Sequence, residues 1–325
     1  MWKIGSIEIE GRVVLSPMAG ITSSGYREFM HPFGVAVSYT EMVSDMGLIY
    51  GNQQTKDYTE FEPLFPTGLQ LFGNTPENMA KAAKIAQNSN KNIDFFDINM
   101  GCPVPKVTNS GAGSSLMKEP KKCGEIVRAI KEATGLPVTA KIRLGWDNKS
   151  INFMEVIEEL EKAGVDAIAI HARTKKDLYS GTPRYDLLKD LRSKMSVPLM
   201  VSGDIYTLDD VINAIDITGA DAVMVARGGM GHPYLIKQID HYYRTGERLE
   251  EPSLLEQCKW CLELGDYLIK EKGELLAMRI YRTIAPHFFM GYPNSKQYRT
   301  KLVTELVDRD SLVRILKEIE EEIKY

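Results

Sequence analysis

The 325-residue sequence has few cysteines, no long hydrophobic run and no excess of positive charge. No apolar stretch approaches the about 20 residues that a membrane-spanning helix needs, so a membrane-spanning protein is excluded. The N-terminus, MWKIG, lacks the apolar segment and cleavage site of a signal peptide, which predicts a cytoplasmic location. The net charge is −4. Because nucleic-acid-binding proteins are more often basic, a nucleic-acid partner must be inferred from local charge rather than from overall composition.

The four cysteines are too few for a disulfide framework in a chain of this length. They are Cys102, Cys123, Cys258 and Cys261. The last two form one C-x-x-C pair, but no second pair completes a zinc site, and no metal is expected. Residues 256–268 have an amphipathic helical pattern. This pattern favours two partly buried thiols on one helix face over metal or redox chemistry.

Short β-like runs alternate with amphipathic helical stretches up to about residue 245. After a predicted hairpin at Trp2–Ile9, the runs expected to form strands are Arg12–Met18, Val35–Thr40, Thr67–Phe72, Phe95–Asn99, Pro137–Arg143, Ala167–His171, Pro198–Ser202 and Ala222–Ala226. Several are almost continuously apolar, as is typical of parallel strands covered by helices. The helices predicted between them are Glu77–Asn88, Pro120–Thr134, Phe153–Ala163, Asp186–Lys194 and Leu208–Thr218.

Eight βα units of this total length predict an α/β fold, a (β/α)₈ TIM barrel. An open doubly wound sheet is less favoured because no G-x-G-x-x-G motif follows the first strand. After the barrel, the pattern predicts only helices, at Leu254–Lys272, Glu274–Met290, Ser295–Leu306 and Asp308–Lys324. The expected organisation is a barrel domain at 1–245 and a small all-helical C-terminal domain at 254–325. A polar linker at about 246–253 contains Gly246 and Pro252.

Polar side chains recur where the predicted strands end, which is where a barrel of this kind has its active site. They include Gln70, Asn99, Lys141, His171 and Arg227. A lysine and a histidine in otherwise apolar strands predict a polar ligand, because an unpaired buried charge is costly. The loops after strands 7 and 8 each contain glycine and fit a phosphate site, to which Arg227 could add a charge-assisted contact.

Cys102 lies in a predicted tight turn, Gly101-Cys102-Pro103, after the fourth barrel strand. One interpretation is a small buried apolar residue, the usual role of a free cysteine. No general base is evident beside it, as a nucleophilic cysteine requires. A free thiol is mostly protonated at neutral pH, so the other interpretation is a proton donor.

At these residues the sequence resembles the tRNA-dihydrouridine synthases, over nearly the whole chain. The most specific segment is DINMGCP at 97–103, followed by GAGS at 111–114. Supporting segments are PMAGIT at 17–22, KIR at 141–143, HART at 171–174, SGDI at 202–205 and MRIYR at 278–282. Together these motifs are much more specific than any one of them.

The resemblance implies that the protein is a flavin-dependent enzyme that reduces uridines in tRNA to 5,6-dihydrouridine. It implies FMN in the barrel mouth and NADPH as the reductant. The implied flavin contacts are Pro17, Met18, Ala19, Gln70, Lys141, His171, Ser202, Gly203, Asp204, Ala226 and Arg227. The implied substrate contacts are Asn99, Arg173, Arg279 and Arg282. The family commonly has Asn where this chain has Ser202, and Gly where it has Ala226. Both residues act largely through backbone groups, so FMN binding is still expected.

The implied mechanism is hydride transfer from N5 of the reduced flavin to uracil C6, with a proton from Cys102 to C5. Lys141 is expected to stabilise negative charge on the reduced cofactor. Because a stacked base cannot lie flat on a flavin, the target uridine must leave the RNA stack.

The RNA contacts are expected on the C-terminal helices. Five cations, at Arg279, Arg282, Lys296, Arg299 and Lys301, occur between Leu275 and Thr304 with no acidic residue. Interleaved aromatics, which are Tyr281, His287, Phe288, Tyr292 and Tyr298, fit phosphate contact combined with stacking. The alternative is a solvated helical face with its aromatics turned inward.

Two other functions stay open on the sequence. One is an FMN barrel reductase that acts on a small molecule, which has no need of a basic helical tail. The other is a non-catalytic RNA-binding protein on a barrel scaffold, which a colourless purified protein favours. Fold alone does not decide between them, because barrels carry many chemistries.

Overall fold

The computed structural model describes residues 1–62 and 64–322 and contains a closed eight-stranded parallel barrel. The strands of the described residues are β1 (Trp2–Ile4), β2 (Ile7–Ile9), β3 (Val13–Leu15), β4 (Val37–Tyr39), β5 (Val43–Ser44), β6 (Thr67–Phe72), β7 (Phe95–Asn99), β8 (Val138–Arg143), β9 (Ala167–His171), β10 (Leu199–Ser202) and β11 (Ala222–Val225). The barrel consists of β3, β4 and β6 to β11, all parallel, and pairing of β4 with β6 closes it. The predicted barrel fold is therefore confirmed, with every predicted barrel strand present.

The helices of the described residues surround the barrel and then continue beyond it. They are α1 (Ser24–Met30), α2 (Asp45–Ile49), α3 (Gln53–Asp57), α4 (Pro76–Ser89), α5 (Pro105–Thr108), α6 (Pro120–Thr134), α7 (Phe153–Lys162), α8 (Leu208–Thr218), α9 (Pro233–Thr245), α10 (Leu254–Lys272), α11 (Glu274–Tyr281), α12 (Ser295–Thr304) and α13 (Arg309–Glu322). Local sequence sets several of their starts. Proline occupies the first turn of α4 and α6, and capping boxes begin α8 at Thr207 and α10 at Ser253.

Two of the predicted helices are wrong in part. Residues 186–194 form two short 3₁₀ turns, Tyr185–Leu188 and Leu191–Lys194, separated by Asp190 with a positive φ of 55°. That backbone conformation interrupts a helix. The predicted helix at 274–290 ends at Tyr281 and gives way to the 3₁₀ helix Ala285–Phe289. Pro286 lies in that segment and lacks the N–H that a continuing α-helix needs. The end of the last predicted helix, at Lys324, lies outside the described residues.

The N-terminal hairpin closes the bottom of the barrel. Trp2, Ile4 and Ile9 pack in one buried cluster with inward-facing barrel side chains such as Met200 and Met224. This plug leaves the opposite end, where the strands reach their C-termini, as the open mouth.

The C-terminal helices pack against the barrel beside β3 and β11. In this contact Glu271 accepts hydrogen bonds from the Ser23 hydroxyl, at 2.6 Å, and from the Gly25 backbone, at 3.0 Å. Near the barrel mouth, Gly231 has a positive φ of 58° and a side chain there would overlap the backbone of Phe288. The tight fit holds these helices next to the mouth. The division into domains at 1–245 and 254–325 stays a prediction.

Candidate active site

A pocket of about 390 Å³ opens at the C-terminal ends of the barrel strands. Its lining contains thirteen of the sixteen residues that the sequence marks as site residues: Pro17, Met18, Ala19, Gln70, Asn99, Cys102, Lys141, His171, Ser202, Gly203, Asp204, Ala226 and Arg227. These residues come from strands β6 to β10 and from the loops that follow β3, β7, β10 and β11. Parallel strands bring their C-terminal ends together, which is why residues so distant in sequence meet here.

A buried chain of hydrogen bonds crosses one wall of the pocket. Asp97 accepts from the Thr139 hydroxyl and from Gln70 Nε2, both at 2.6 Å. The Gln70 side-chain oxygen, Oε1, accepts a hydrogen bond from Asn99 Nδ2 at 2.9 Å. Burial raises the pKa of Asp97 to about 6, while the bonds from Gln70 and Thr139 oppose that shift. The chain holds both amide side chains in one orientation at the pocket wall.

Cys102 is held at the pocket wall through its backbone. Its N–H donates to the Asn99 side-chain oxygen at 2.8 Å, and its carbonyl accepts from the backbone and hydroxyl of Ser114. The Arg143 Nε donates to the neighbouring Gly101 carbonyl at 2.7 Å. The thiol itself is partly exposed. These contacts explain the motif at 111–114: Ser114 anchors the turn that presents the thiol.

Lys141 lines the pocket without a partner of its own. Within the described residues its ammonium makes no hydrogen bond or ion pair. Burial, aided by the nearby Arg143, lowers the pKa of Lys141 to about 8, although Asp97 and Cys102 oppose that shift. An unpaired cation at a pocket wall is costly unless a ligand supplies an acceptor or a negative charge. The site therefore fits a ligand that presents such a group to Lys141.

His171 lies among cations that keep its imidazole neutral. Burial, followed by Arg143, Lys141, Arg173 and Arg227, lowers the pKa of His171 well below its usual value. Its Nε2 is 3.4 Å from Arg173 Nη1. Because a guanidinium only donates, Nε2 accepts and the neutral ring carries its proton on Nδ1. The imidazole is thus a donor through Nδ1 alone.

Arg173 lies beside the pocket but is not part of its lining. It is 1% exposed, and all five of its N–H donors have acceptors. The acceptors are His171, the Ser180 and Gly181 carbonyls, and both oxygens of Asp204. No donor is left for a substrate. We therefore assign Arg173 a positioning role, joining the loop after β9 to the loop after β10.

Loss of Arg173 is expected to destabilise the protein. Arg173→Ala leaves the Asp204 carboxylate without its bidentate partner and the Ser180 and Gly181 carbonyls without this donor, so unfolding should require on the order of 3 kcal/mol less. The matched control is Arg184→Ala, which removes the partly exposed pair with Asp177 and should cost about 1 kcal/mol or less. Urea denaturation of both variants measures the difference, and equal losses would refute the positioning role.

The loops after β10 and β11 form the end of the pocket that suits a phosphate. Arg227 donates to Asp204 at 3.1 Å and keeps nearly half of its side chain exposed. Within the described part of the chain, the backbone N–H groups of Gly203 and Asp204 have no acceptor. A side chain at Gly228 would overlap the Ile205 carbonyl, so only glycine lets the two loops approach each other this closely. Free amides beside an arginine are the donors that an anionic ligand needs.

Sequence reasoning missed two tyrosines at the pocket mouth. Tyr179 and Tyr206 are 52% and 43% exposed and flank Arg227, whose guanidinium carbon lies 4.8 Å and 5.9 Å from the two ring centroids. Both lie in loops after barrel strands, and no local pattern distinguishes them from ordinary loop residues. Only the three-dimensional contact with Arg227 brings them into the site.

The remaining two predicted RNA contacts, Arg279 and Arg282, lie on the C-terminal helices away from this pocket. Arg279 is exposed, whereas Arg282 is half-buried and donates through Nε to the Leu306 carbonyl at 2.6 Å. The aromatics Tyr281, Phe288 and Tyr298 of this region are buried. Stacking by those three is therefore wrong, and RNA contact by the basic residues of this segment stays a prediction.

The two cysteines of the C-terminal helices are structural. Cys258 and Cys261 are 1% and 0% exposed, and burial raises the pKa of Cys258 to about 12. Among residues 1–62 and 64–322, no cluster of three or more His, Cys, Asp or Glu side chains is placed to hold a metal. In the same part of the chain, no helix is both long and apolar enough to cross a membrane.

Two solved structures with a similar barrel share little sequence with this chain. Morphinone reductase aligns with a TM-score of 0.50 and 15% identity, covering 77% of this chain and 90% of its own. A 2-naphthoyl-CoA reductase aligns with a TM-score of 0.56 and 11% identity, covering 73% and 51%. At these identities the likeness supports the barrel fold alone.

Sequence comparison is more specific. A probable tRNA-dihydrouridine synthase of Rickettsia conorii is 35% identical over 301 residues, which cover 92% of this chain and 90% of the relative. The tRNA-dihydrouridine synthase B of Pseudomonas putida is 34% identical over 301 residues, which cover 92% and 88%. The family model described as dihydrouridine synthase (Dus) matches residues 14–324. The chain belongs to the dihydrouridine synthase family.

Proposed function

We propose that this protein reduces uridines in tRNA to 5,6-dihydrouridine, using bound FMN and NADPH as the reductant. The observation that carries the proposal is the convergence of Cys102, Asn99 and the unpaired Lys141 on one pocket of this barrel. The relatives named tRNA-dihydrouridine synthase support the substrate class. A small-molecule reductase is less favoured because it needs neither the C-terminal helices nor their basic stretch.

The pocket residues fit FMN at both ends. Lys141 would face the electron-rich pyrimidine edge of the flavin ring, where its ammonium stabilises negative charge. At the other end, the free amides of Gly203 and Asp204 would hold the phosphate together with Arg227. Pro17, Met18, Ala19 and Ala226 would supply the apolar walls, with Gln70, His171 and Ser202 completing the contacts. The cavity volume is within the range usual for cofactor sites.

The flavin, when bound, supplies the hydride that adds to uracil C6. The electron pair of the C5=C6 bond then shifts to form an enolate of the uracil, and Cys102 donates the proton of its thiol to C5. Solvent reprotonates the thiolate before the next turnover. Asn99, whose side chain is held by Gln70 and by the Cys102 backbone, would position the uracil edge.

Mapping dihydrouridine in tRNA tests the proposed activity. Cells that lack this protein should lose dihydrouridine at one or more tRNA positions, and the purified wild-type protein with NADPH should restore it at those positions. The purified protein should also be yellow, with one FMN per chain. A complete set of dihydrouridines in the deletion strain, or a protein that cannot take up FMN, would refute the proposal.

We propose that the C-terminal helices bind the RNA backbone, with Arg279 as one phosphate contact. Arg279→Glu should weaken tRNA binding and lower the slope of log affinity against log salt by about 1, because one phosphate contact is lost. FMN should stay bound. The matched control is Lys3→Glu on the hairpin at the opposite end of the barrel, which should change neither quantity. If the salt dependence of tRNA affinity has the same slope in Arg279→Glu and wild type, Arg279 makes no phosphate contact and lies on a solvated face.

A further inference from the structure

A second cavity, of about 630 Å³, lies between the barrel mouth and the C-terminal helices. Four residues line both this cavity and the first pocket: Tyr206, Arg227, Gly228 and Met230. The rest of its wall comes mainly from the C-terminal side and includes Glu251, Gln257, His287 and Tyr292, with His232 from the loop after β11. The two cavities therefore adjoin each other along the loops after β10 and β11.

The chemistry of this second cavity suits an aromatic ring with polar edges. Tyr206 and Tyr292 provide aromatic surface. Burial lowers the pKa of both His232 and His287, so the two imidazoles are neutral near pH 7. Arg227 lines both cavities and lies at the boundary between them, while Glu251 adds a carboxylate to the wall. A phosphate is favoured only at the Arg227 end, and hydroxyl or amino donors are favoured beside Glu251.

Gln257 is the unsatisfied polar group of this wall. It is 2% exposed, and its side-chain oxygen has no hydrogen-bond partner among the described residues. Its Nε2 reaches only the Tyr292 hydroxyl, at 3.4 Å, and that hydroxyl already donates to the Pro252 carbonyl at 2.8 Å. A buried acceptor without a donor lowers stability, so its presence beside a cavity calls for a donor from a ligand.

We propose that this cavity receives the base of a nucleotide adjacent to the target uridine. The inference rests on the proposed function. When one nucleotide leaves the RNA stack, its covalently linked neighbour lies within reach of an adjoining cavity. Aromatic walls stack any base, and the Gln257 oxygen accepts a hydrogen bond from an amino or imino group of that base. The C-terminal helices thus contribute a base-binding site in addition to phosphate contacts.

The test uses Gln257→Met, which keeps the length of the side chain and removes its polar atoms. A purely structural glutamine predicts unchanged or higher stability and unchanged RNA binding. The proposed site predicts unchanged or higher stability together with about tenfold weaker binding of a tRNA transcript that the wild-type protein reduces. The matched control is Gln87→Met on α4, where the glutamine bonds the Thr134 carbonyl far from the mouth.

Abasic transcripts identify which nucleotide is bound. Removing the base on one side of the target uridine should weaken wild-type binding about tenfold, and Gln257→Met should add no further loss on that transcript. Additive losses with both abasic transcripts would overturn the proposal. A raised KM for NADPH when Gln257→Met is assayed for flavin reduction without RNA would also overturn it, since that result places the reductant in the cavity. If the wild-type protein forms no dihydrouridine at all, the proposed function fails first and the inference falls with it.

Discussion

Cys102→Ala is expected to slow dihydrouridine formation by about 10²–10⁴-fold, the usual contribution of a general acid. Hydride addition at C6 leaves an enolate that must take up a proton at C5 within the pocket. The thiol is partly exposed at the wall of that pocket, and its turn is anchored by Asn99, Ser114 and Arg143. Because these anchors act on the backbone of residues 101 and 102, alanine should keep the turn intact.

The two half-reactions separate a chemical role of Cys102 from a structural one. Reduction of the flavin by NADPH needs no proton at C5 and should be unchanged in Cys102→Ala, whereas single-turnover reduction of tRNA should be slow. Cys123→Ala is the matched control, because this thiol is fully buried and donates to the Leu116 carbonyl. It should lower stability without changing the rate of uridine reduction. A normal rate in Cys102→Ala would remove the thiol from the mechanism.

Lys141→Ala is expected to slow reduction on the order of 10²-fold or more, because one electrostatic stabiliser of developing charge is lost. Its effect on tRNA affinity should be small, since Lys141 lies inside the barrel and away from the basic stretch of the C-terminal helices. Lys131→Ala is the control. That lysine pairs with Asp166 at 2.7 Å outside the pocket, so its loss should leave the rate unchanged.

The pH dependence of FMN binding provides a second test of the role of Lys141. Burial lowers that pKa to about 8, so the ammonium loses its proton as the pH rises through that value. An electron-rich or anionic ligand favours the charged form, and wild-type affinity for FMN should therefore fall above about pH 8. Lys141→Ala should lack this decrease. The assignment fails if wild type and Lys141→Ala have the same pH profile and the same single-turnover rate.

Local sequence patterns determined the barrel and most of its site. Short apolar runs between amphipathic helical stretches predicted all eight barrel strands, and three of them, such as Phe95–Asn99, have the predicted bounds. Since every parallel strand ends at the same rim, a residue at a strand end such as Lys141 or His171 could be assigned to the pocket from its position alone. The resemblance of the motif at 97–103 then supplied the proposed chemistry.

Only the tertiary structure decided which polar groups are already satisfied and which are free. Arg173 is a strand-end cation like Arg227, yet its five donors are used by residues from three separate segments, whereas Arg227 stays half exposed. Tyr206 and Gln257 carry no distinguishing pattern, and they line the second cavity only because the C-terminal helices dock beside the loop after β11. Hydrogen-bond satisfaction and burial depend on contacts between residues distant in the chain, so no local pattern can predict them.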